Sequence, residues 1–210
     1  MAKYLGPKCK ICRRLGEKLC SKGERGLGAK CALVKRNYPP GLHGQKGHSR
    51  LTDFGVHLKE KQKVKIIYFV LEKQLKKYFN LASKNKMDTG SKFIELLERR
   101  LDNVIFRLGL AKSRPQARQM VSHSLFLINN KKINVPSCEI KSGDVISIRK
   151  DKSLNKGILA ENLKNIKQDE ISGWLDWDEK ENKAKIVSLP KDKDLEVGID
   201  TRLVVEYYSK

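Results

Sequence analysis

The 210-residue sequence predicts an α+β chain: an irregular basic N-terminal extension, a helical domain, and a small block in which two helices face a β-sheet. Three observations carry that prediction. Apolar residues recur at threes and fours between residues 51 and 108, the spacing of an amphipathic helix. Beyond residue 124 the apolar runs shorten and are separated by turn signals at Asn129-Asn130 and Ser142-Gly143. The first fifty residues, in contrast, are punctuated by Pro and Gly and carry little apolar content. The expected divisions are residues 1–48, residues 49–97 completed by 160–210, and residues 98–159.

In the extension, "NYPPGLHGQKGHSR" holds two Pro and three Gly, which block a helix and favour an extended or turning path. From Leu51 to Lys86, Val56, Leu58, Val64, Ile67, Tyr68, Leu71, Leu75, Tyr78 and Phe79 form a helical stripe with Lys on the other side. A second helix is expected from about Ser91, with Phe93, Leu97, Leu101, Val104 and Leu108 as its stripe and Gly109 as its C-cap. A third starts at Ser113, a good N-cap residue, with Pro115 tolerated in the first turn.

Short strands follow at Leu125–Asn129 and Lys132–Val135 and within "CEIKSGDVISI", with Leu125, Leu127, Val145 and Ile148 expected to alternate into a core. Asn at both turn positions suits the left-handed conformation of a tight hairpin. Later, "SLNKGILAENLKNI" reads as a helix and "GWLDWDEKENKAKIVSLP" as a hairpin with Trp174 and Trp177 as packing anchors; "TRLVVEYYSK" reads as an apolar strand or edge segment.

The chain carries 45 Lys and Arg against 24 Asp and Glu, a formal +21. Residues 1–50 have 13 basic and 2 acidic side chains, residues 51–150 have 21 and 9, and residues 151–210 have 11 and 13. The excess therefore sits in the first two-thirds. Such a charge repels itself until a polyanion neutralises it, which makes nucleic acid the first partner to consider and an anionic membrane surface the competing one. The longest apolar run, Ile66 to Leu71, is far too short to span a bilayer, and "MAKYLGPKCK" has no apolar stretch of a secretory signal behind its charge. No Gly-rich phosphate loop follows a strand, and His43, His48, His57 and His123 are scattered, so no catalytic constellation is visible.

Four of the five Cys fall before residue 32. Cys9 and Cys12 form a C-x2-C pair able to chelate one ion from a tight turn, and Cys20 and Cys31 would complete a four-sulfur tetrahedron. Zn2+ suits such a set best; an iron–sulfur cluster is the alternative, and free thiols in a segment ordered by RNA alone the competing reading. In the helix-helix-sheet block, Arg107, Arg114, Arg118, Lys131 and Lys132 would surround one surface. That surface is either a solvated charged face or a rigid phosphate-binding one, and composition does not decide between them.

The segments "LLERRLDNVIFRLGLAKSRPQARQMVSH" and "LINNKKINVPS…IKSGDVI" resemble the small RNA-binding module named for the fourth protein of the small ribosomal subunit. "YLGPKCKICRR", "YPPGLHGQ", "LKEKQKVKIIY" and "LVVEYYSK" resemble the flanking parts of that family in the same order, in its bacterial or organellar form.

The resemblance implies that Arg99, Arg100, Arg107, Ser113, Arg114, Gln116, Arg118, Gln119 and His123 face rRNA, with Lys131 and Lys132 approaching its backbone. Pro39, Pro40, Gly41, His43, Gly44, Gln45 and the adjoining Lys46 match a second contact at a junction of RNA helices. It further implies a non-enzymatic constituent of the small subunit that binds rRNA early and nucleates assembly of the subunit body. That constituent tunes decoding accuracy with the fifth and twelfth proteins, and lines the path by which mRNA enters together with the third and fifth. Repression of its own mRNA occurs in some bacterial members. Such a protein is cytoplasmic or in an organellar matrix, and is neither membrane-bound nor a homo-oligomer. Two departures stand out: Phe69 occupies a usual Gly position, so a helix break there is expected to shift or vanish, and the hairpin turn is Asn-Asn rather than Asn-Gly. Metal-binding relatives place their third Cys nearer the fourth, where this chain has Gly26, which makes Cys20 a displaced ligand.

Overall fold

The computed structural model describes residues 4–19, 26, 28–46, 50–85, 88–149, 158–164, 166, 171–179, 181–190 and 198–209. The chain divides into two compact units, one of Ser91–Glu196 and one joining Ala2–Gly90 to Val197–Lys210.

The second of these is helical where described. It contains α1 (Lys8–Leu15), α2 (Ala32–Lys35), a 3-10 turn at Gly44–Lys46, α3 (Asp53–Ile67), α4 (Glu72–Ala82) and, from the far end of the sequence, α9 (Thr201–Ser209). Thr52 caps α3, its hydroxyl accepting from Gly55 N at 3.3 Å. The single helix expected over residues 51–86 is in fact two, and the break survives the replacement of Gly by Phe. Phe69 takes φ +54°, its N–H bonds Ile66 O at 3.2 Å, and Val70 N–H bonds Lys65 O at 3.1 Å. This is a Schellman stop, with Phe69 in the left-handed position that costs an L-residue about 1–2 kcal/mol. Its ring is buried, and Lys8 Nζ lies 5.0 Å from its centroid.

The C-terminal segment, expected as a strand, is the helix α9. The Asp200 carboxylate accepts from Arg202 N at 3.0 Å, an N-cap that the β-branched and aromatic content of "LVVEYY" obscured. Val204 is fully buried, Tyr208 stacks on Phe79 at 4.6 Å, and Glu206 meets His57 at 2.9 Å. Lys61, 4% exposed, bonds Glu72 at 2.8 Å; Tyr208 donates to the same carboxylate at 2.9 Å.

The other unit holds α5 (Thr89–Glu98, entering from Gly90), α6 (Leu101–Arg107), α7 (Arg114–Ser122) and α8 (Ile158–Lys164). Its strands are β1 (Phe126–Ile128), β2 (Lys131–Lys132), β3 (Val145–Ile148), β4 (Leu175–Asp178) and β5 (Lys183–Ile186), in an antiparallel sheet of order β2-β1-β3-β5-β4. The hairpin of residues 175–186 thus pairs with β3 and extends the module's sheet, whereas residues 160–210 were expected to complete the helical domain. Only the stretch from residue 197 joins the helical unit, and residues 2–48 belong there too.

The helix expected to run from Ser91 past Leu101 breaks at Arg99–Arg100, where Arg100 is extended and bridges Glu139. The first-turn N–H groups of α6 are satisfied there: Leu101 N bonds Cys138 O at 2.9 Å and Asp102 N bonds Pro136 O at 3.2 Å.

Leu101, Val104, Leu108, Ala117, Val121, Phe126, Ile146, Trp174, Trp177 and Ile186 build this unit's core, so the two Trp are indeed packing anchors. The sheet's inward phase is Phe126, Ile128 and Ile146, with Leu125 and Ile148 at its margin. Leu127 and Val145, expected inside, are only half-buried. Register pairs Phe126 with Ile148 and Ile128 with Ile146, and in a period-2 element one residue of slip exchanges the faces.

Candidate nucleic-acid interface

Two populations of basic residue lie on α6, α7 and the β1–β2 hairpin. The first is held internally. Arg100, wholly buried, forks onto Asp102 through Nε at 3.0 Å and Nη2 at 2.7 Å, and Arg118 Nη1 reaches the same carboxylate at 3.2 Å. One turn earlier on α7, Arg114 donates from Nε to Asn103 Oδ1 at 2.7 Å and lies over the Phe106 ring at 4.5 Å. Arg107 forks onto buried Glu98 at 3.0 and 2.8 Å. Arg99 bonds Ile140 O at 3.1 Å and Glu95 at 3.3 Å.

The expectation that all five arginines present themselves outward is therefore corrected. Arg100 is an internal strut, Arg114 and Arg118 are buried and tie α7 to α6, and only the edges of Arg99 and Arg107 reach solvent. A buried guanidinium needs such partners, since an unpaired one would cost several kcal/mol.

The second population is open. Lys131 and Lys132 form an exposed strand, and Lys112, Gln119 and His123 are exposed on and beside α7. Ser113 is the N-cap of α7 by position, although its side chain makes no capping bond; the Gln116 amide oxygen accepts instead from Lys112 N at 2.9 Å. The hairpin carrying the two lysines turns through Asn129 at φ +47° and Asn130 at φ +63°, the geometry of a type I′ turn. Asn129 also anchors the hairpin: Nδ2 donates to Asp144 at 2.8 Å and Oδ1 accepts from Val145 N at 2.9 Å.

In the helical unit, Pro39 and Pro40 are half-buried, while Gly41, His43, Gln45 and Lys46 are exposed on a compact turn. The Arg13 side chain holds it, donating to the carbonyls of Arg36, Tyr38 and Pro39 at 3.0–3.3 Å and stacking on Tyr38 at 4.7 Å. A Cβ on Gly44 would stand 2.0 Å from Pro39 O, so this close approach requires glycine.

Of the four expected metal ligands, Cys9 and Cys12 share a turn of α1 and Cys31 is the N-cap of α2. Cys20 lies outside the described residues. Burial raises the Cys12 thiol above its ordinary value; the Leu19 N–H opposes this, and negative charge on Cys9 and Cys31 adds to it. Among the described residues, however, no three His, Cys, Asp or Glu side chains converge into a metal site. Cys138 belongs to the other unit, where burial, then Asp144 and Glu139, favour its neutral thiol.

Sequence reasoning missed the residues that organise these surfaces: Glu98, Asp102 and Asn103, together with Arg13, Asp144 and the side-chain bonds of the turn residue Asn129. For the first three no interruption of the pattern marked them: Glu98, Asp102 and Asn103 lie beside an apolar stripe that runs on unbroken through Leu97, Leu101 and Val104.

Residues 3–98 match the family described as ribosomal protein S4/S9 N-terminal domain, and residues 99–146 match the S4 domain. Among curated proteins, "Small ribosomal subunit protein uS4" of Citrifermentans bemidjiense is 45% identical over 210 residues, covering 100% of both chains. The proteins of the same name from Thermus thermophilus and Caldicellulosiruptor saccharolyticus are 45% and 46% identical over the same span. With similarity at that level running from end to end, the chain belongs to the small ribosomal subunit protein uS4 family.

Proposed function

We propose that this chain is a structural constituent of the small ribosomal subunit that binds its rRNA directly, and that it catalyses no reaction. The observation that carries the reading is the end-to-end similarity to small-subunit proteins of this family. The exposed Lys131–Lys132 hairpin and the turn of residues 39–46 supply rigidly mounted groups for phosphate. Within the subunit the chain acts as one copy, contacts neighbouring small-subunit proteins (the third, fifth and twelfth), and borders the path of incoming mRNA. Early rRNA binding nucleates the subunit body, decoding accuracy depends on its protein contacts, and repression of its own mRNA is a further role of the same RNA surface. Its compartment is that of the ribosome it serves, cytoplasmic or organellar.

The test is sedimentation of a cell extract through a sucrose gradient at moderate and high salt. The chain should travel with the small subunit in both; release into the light fractions at moderate salt contradicts the reading.

The metal proposal rests on Cys9, Cys12 and Cys31, with Cys20 as the fourth ligand. A tetrahedral Zn2+ would neutralise the mutual repulsion of the thiolates and fix α1 to α2 in a segment poor in apolar core. Elemental analysis of anaerobically purified protein should find one zinc per chain, lost in Cys9→Ser and Cys20→Ser; metal-free protein ends the proposal.

A further inference from the structure

Glu98 is the one wholly buried carboxylate among the described residues, and three donors close on it. Arg107 supplies Nε to Oε2 at 3.0 Å and Nη2 to Oε1 at 2.8 Å, and Asn103 Nδ2 donates to Oε2 at 2.6 Å. The same Asn103 nitrogen donates to the Glu98 carbonyl at 3.1 Å. With both amide hydrogens directed at Glu98, Asn103 Oδ1 faces the opposite way and receives Arg114 Nε at 2.7 Å. Phe106 closes the other side of Arg114, its ring centroid 4.5 Å from the guanidinium carbon. One carboxylate therefore orients two arginines, Arg107 by direct contact and Arg114 through a single amide.

Burying a carboxylate is expensive, and an apolar side chain would fill the space at lower cost. What the carboxylate supplies is direction. A guanidinium has five N–H groups in a fixed plane, and a bidentate pair uses two of them and fixes where the rest point. Arg107 is 20% exposed along its side chain, whereas Glu98 beneath it is wholly buried, so the fork joins a buried anchor to a side chain that reaches the surface.

We infer that Glu98 and Asn103 are positioning residues for RNA binding: they touch no RNA themselves, Glu98 pre-orienting Arg107 toward phosphate while Asn103 braces Glu98 and ties it to buried Arg114. The inference rests on the rRNA-binding reading above and adds the device that aims Arg107. It makes a prediction opposite in sign to simple electrostatics. Removing a negative charge from a polyanion-binding protein ordinarily tightens binding. Here, Glu98→Gln raises the net charge by one and should nonetheless weaken it, because the fork on Arg107 is lost.

The experiment titrates the full-length chain with a small-subunit rRNA transcript across a salt series, with folding checked by circular dichroism and thermal unfolding. Wild type is compared with Glu98→Gln, Arg107→Ala, their combination, and Arg107→Lys. Folded Glu98→Gln should bind about tenfold more weakly, with a salt slope shallower by about one. Adding Arg107→Ala should change little more, since the same interaction is already gone. Arg107→Lys keeps the charge but not the fork, and should lose about as much affinity as Arg107→Ala.

Tighter or unchanged binding by folded Glu98→Gln overturns the inference, as does full additivity with Arg107→Ala. Should Glu98→Gln fail to fold, Arg107→Lys decides: weakened binding supports the positioning role, and wild-type binding overturns it. Wild-type protein that shows no salt-dependent binding removes the rRNA-binding reading itself; wild-type protein that binds steeply beside an unaffected Glu98→Gln removes only the inference.

Discussion

The arginines of α6–α7 and the lysines of the β1–β2 hairpin bear the same charge a short way apart in sequence, yet the chain mounts them in opposite ways. Arg100, Arg107, Arg114 and Arg118 are locked against Asp102, Glu98 and Asn103 inside the module. Lys131 and Lys132 stand exposed on a hairpin anchored by Asn129 behind them. Residue type follows task. A planar, weakly hydrated guanidinium tolerates burial against a carboxylate; a compact, strongly hydrated ammonium is better left in water until phosphate arrives. Stability and RNA affinity should therefore be coupled at the arginines and separable at the lysines.

The largest expected effect comes from breaking the internal network. Asp102→Ala strands Arg100 without its forked partner and removes an acceptor from Arg118, and should cost about 3–5 kcal/mol in urea unfolding. A loss below about 1 kcal/mol would erase the distinction between the two populations.

Next is the mount of the hairpin. Asn129→Ala removes the bonds to Asp144 and to Val145 N and puts Ala at positive φ, so a loss of roughly 1–3 kcal/mol is expected. Its rRNA affinity should fall even though no charge has changed.

A buried lysine in the helical unit sharpens the comparison. Lys61 is sheltered by Glu72, itself bonded by Tyr208, so Tyr208→Phe should loosen α9 by roughly 1 kcal/mol. Burial would raise the Glu72 carboxyl, but Lys61, Tyr208 and Lys65 more than offset this and hold it below its ordinary 4.5. A lowered folded-state value means that the stabilisation is complete above that ordinary value and is lost as pH falls through the depressed one. Acid titration of wild type should thus release α9 below pH 4.5, followed by Tyr fluorescence, and Tyr208→Phe should release it at higher pH.

Much of the fold was legible where periodicity was strong. The α4 and α5 stripes, the start of α7 after Ser113, the Asn-Asn turn and the two Trp anchors all followed from spacing and turn chemistry, whereas in the first half of α3 the expected faces do not hold: Val56 is exposed and Lys61 is buried. What stayed hidden was decided by partners distant in sequence. Arg100 leaves the helix because residues 136–140 offer carbonyls to the chain beside it, and "LVVEYY" is a helix because Phe79, His57 and Glu72 receive it. The sheet phase slipped by one because a run as uniform as "LFLI" contains no polar residue to mark its outer face. In the candidate site, residue types identified the charged groups but not which were solvated, since that depends on Glu98, Asp102 and Asn103 folding beneath them.

The smallest effect on stability is also the most direct measurement of the central claim. In full-length Lys131→Ala/Lys132→Ala, urea unfolding should stay within about 0.5 kcal/mol of wild type. The slope of log affinity for small-subunit rRNA against log salt should become shallower by about two, roughly one for each phosphate left without its ammonium partner. An unchanged slope in a stably folded double variant would contradict the claim that the open lysines of this hairpin are groups the chain offers to RNA phosphate.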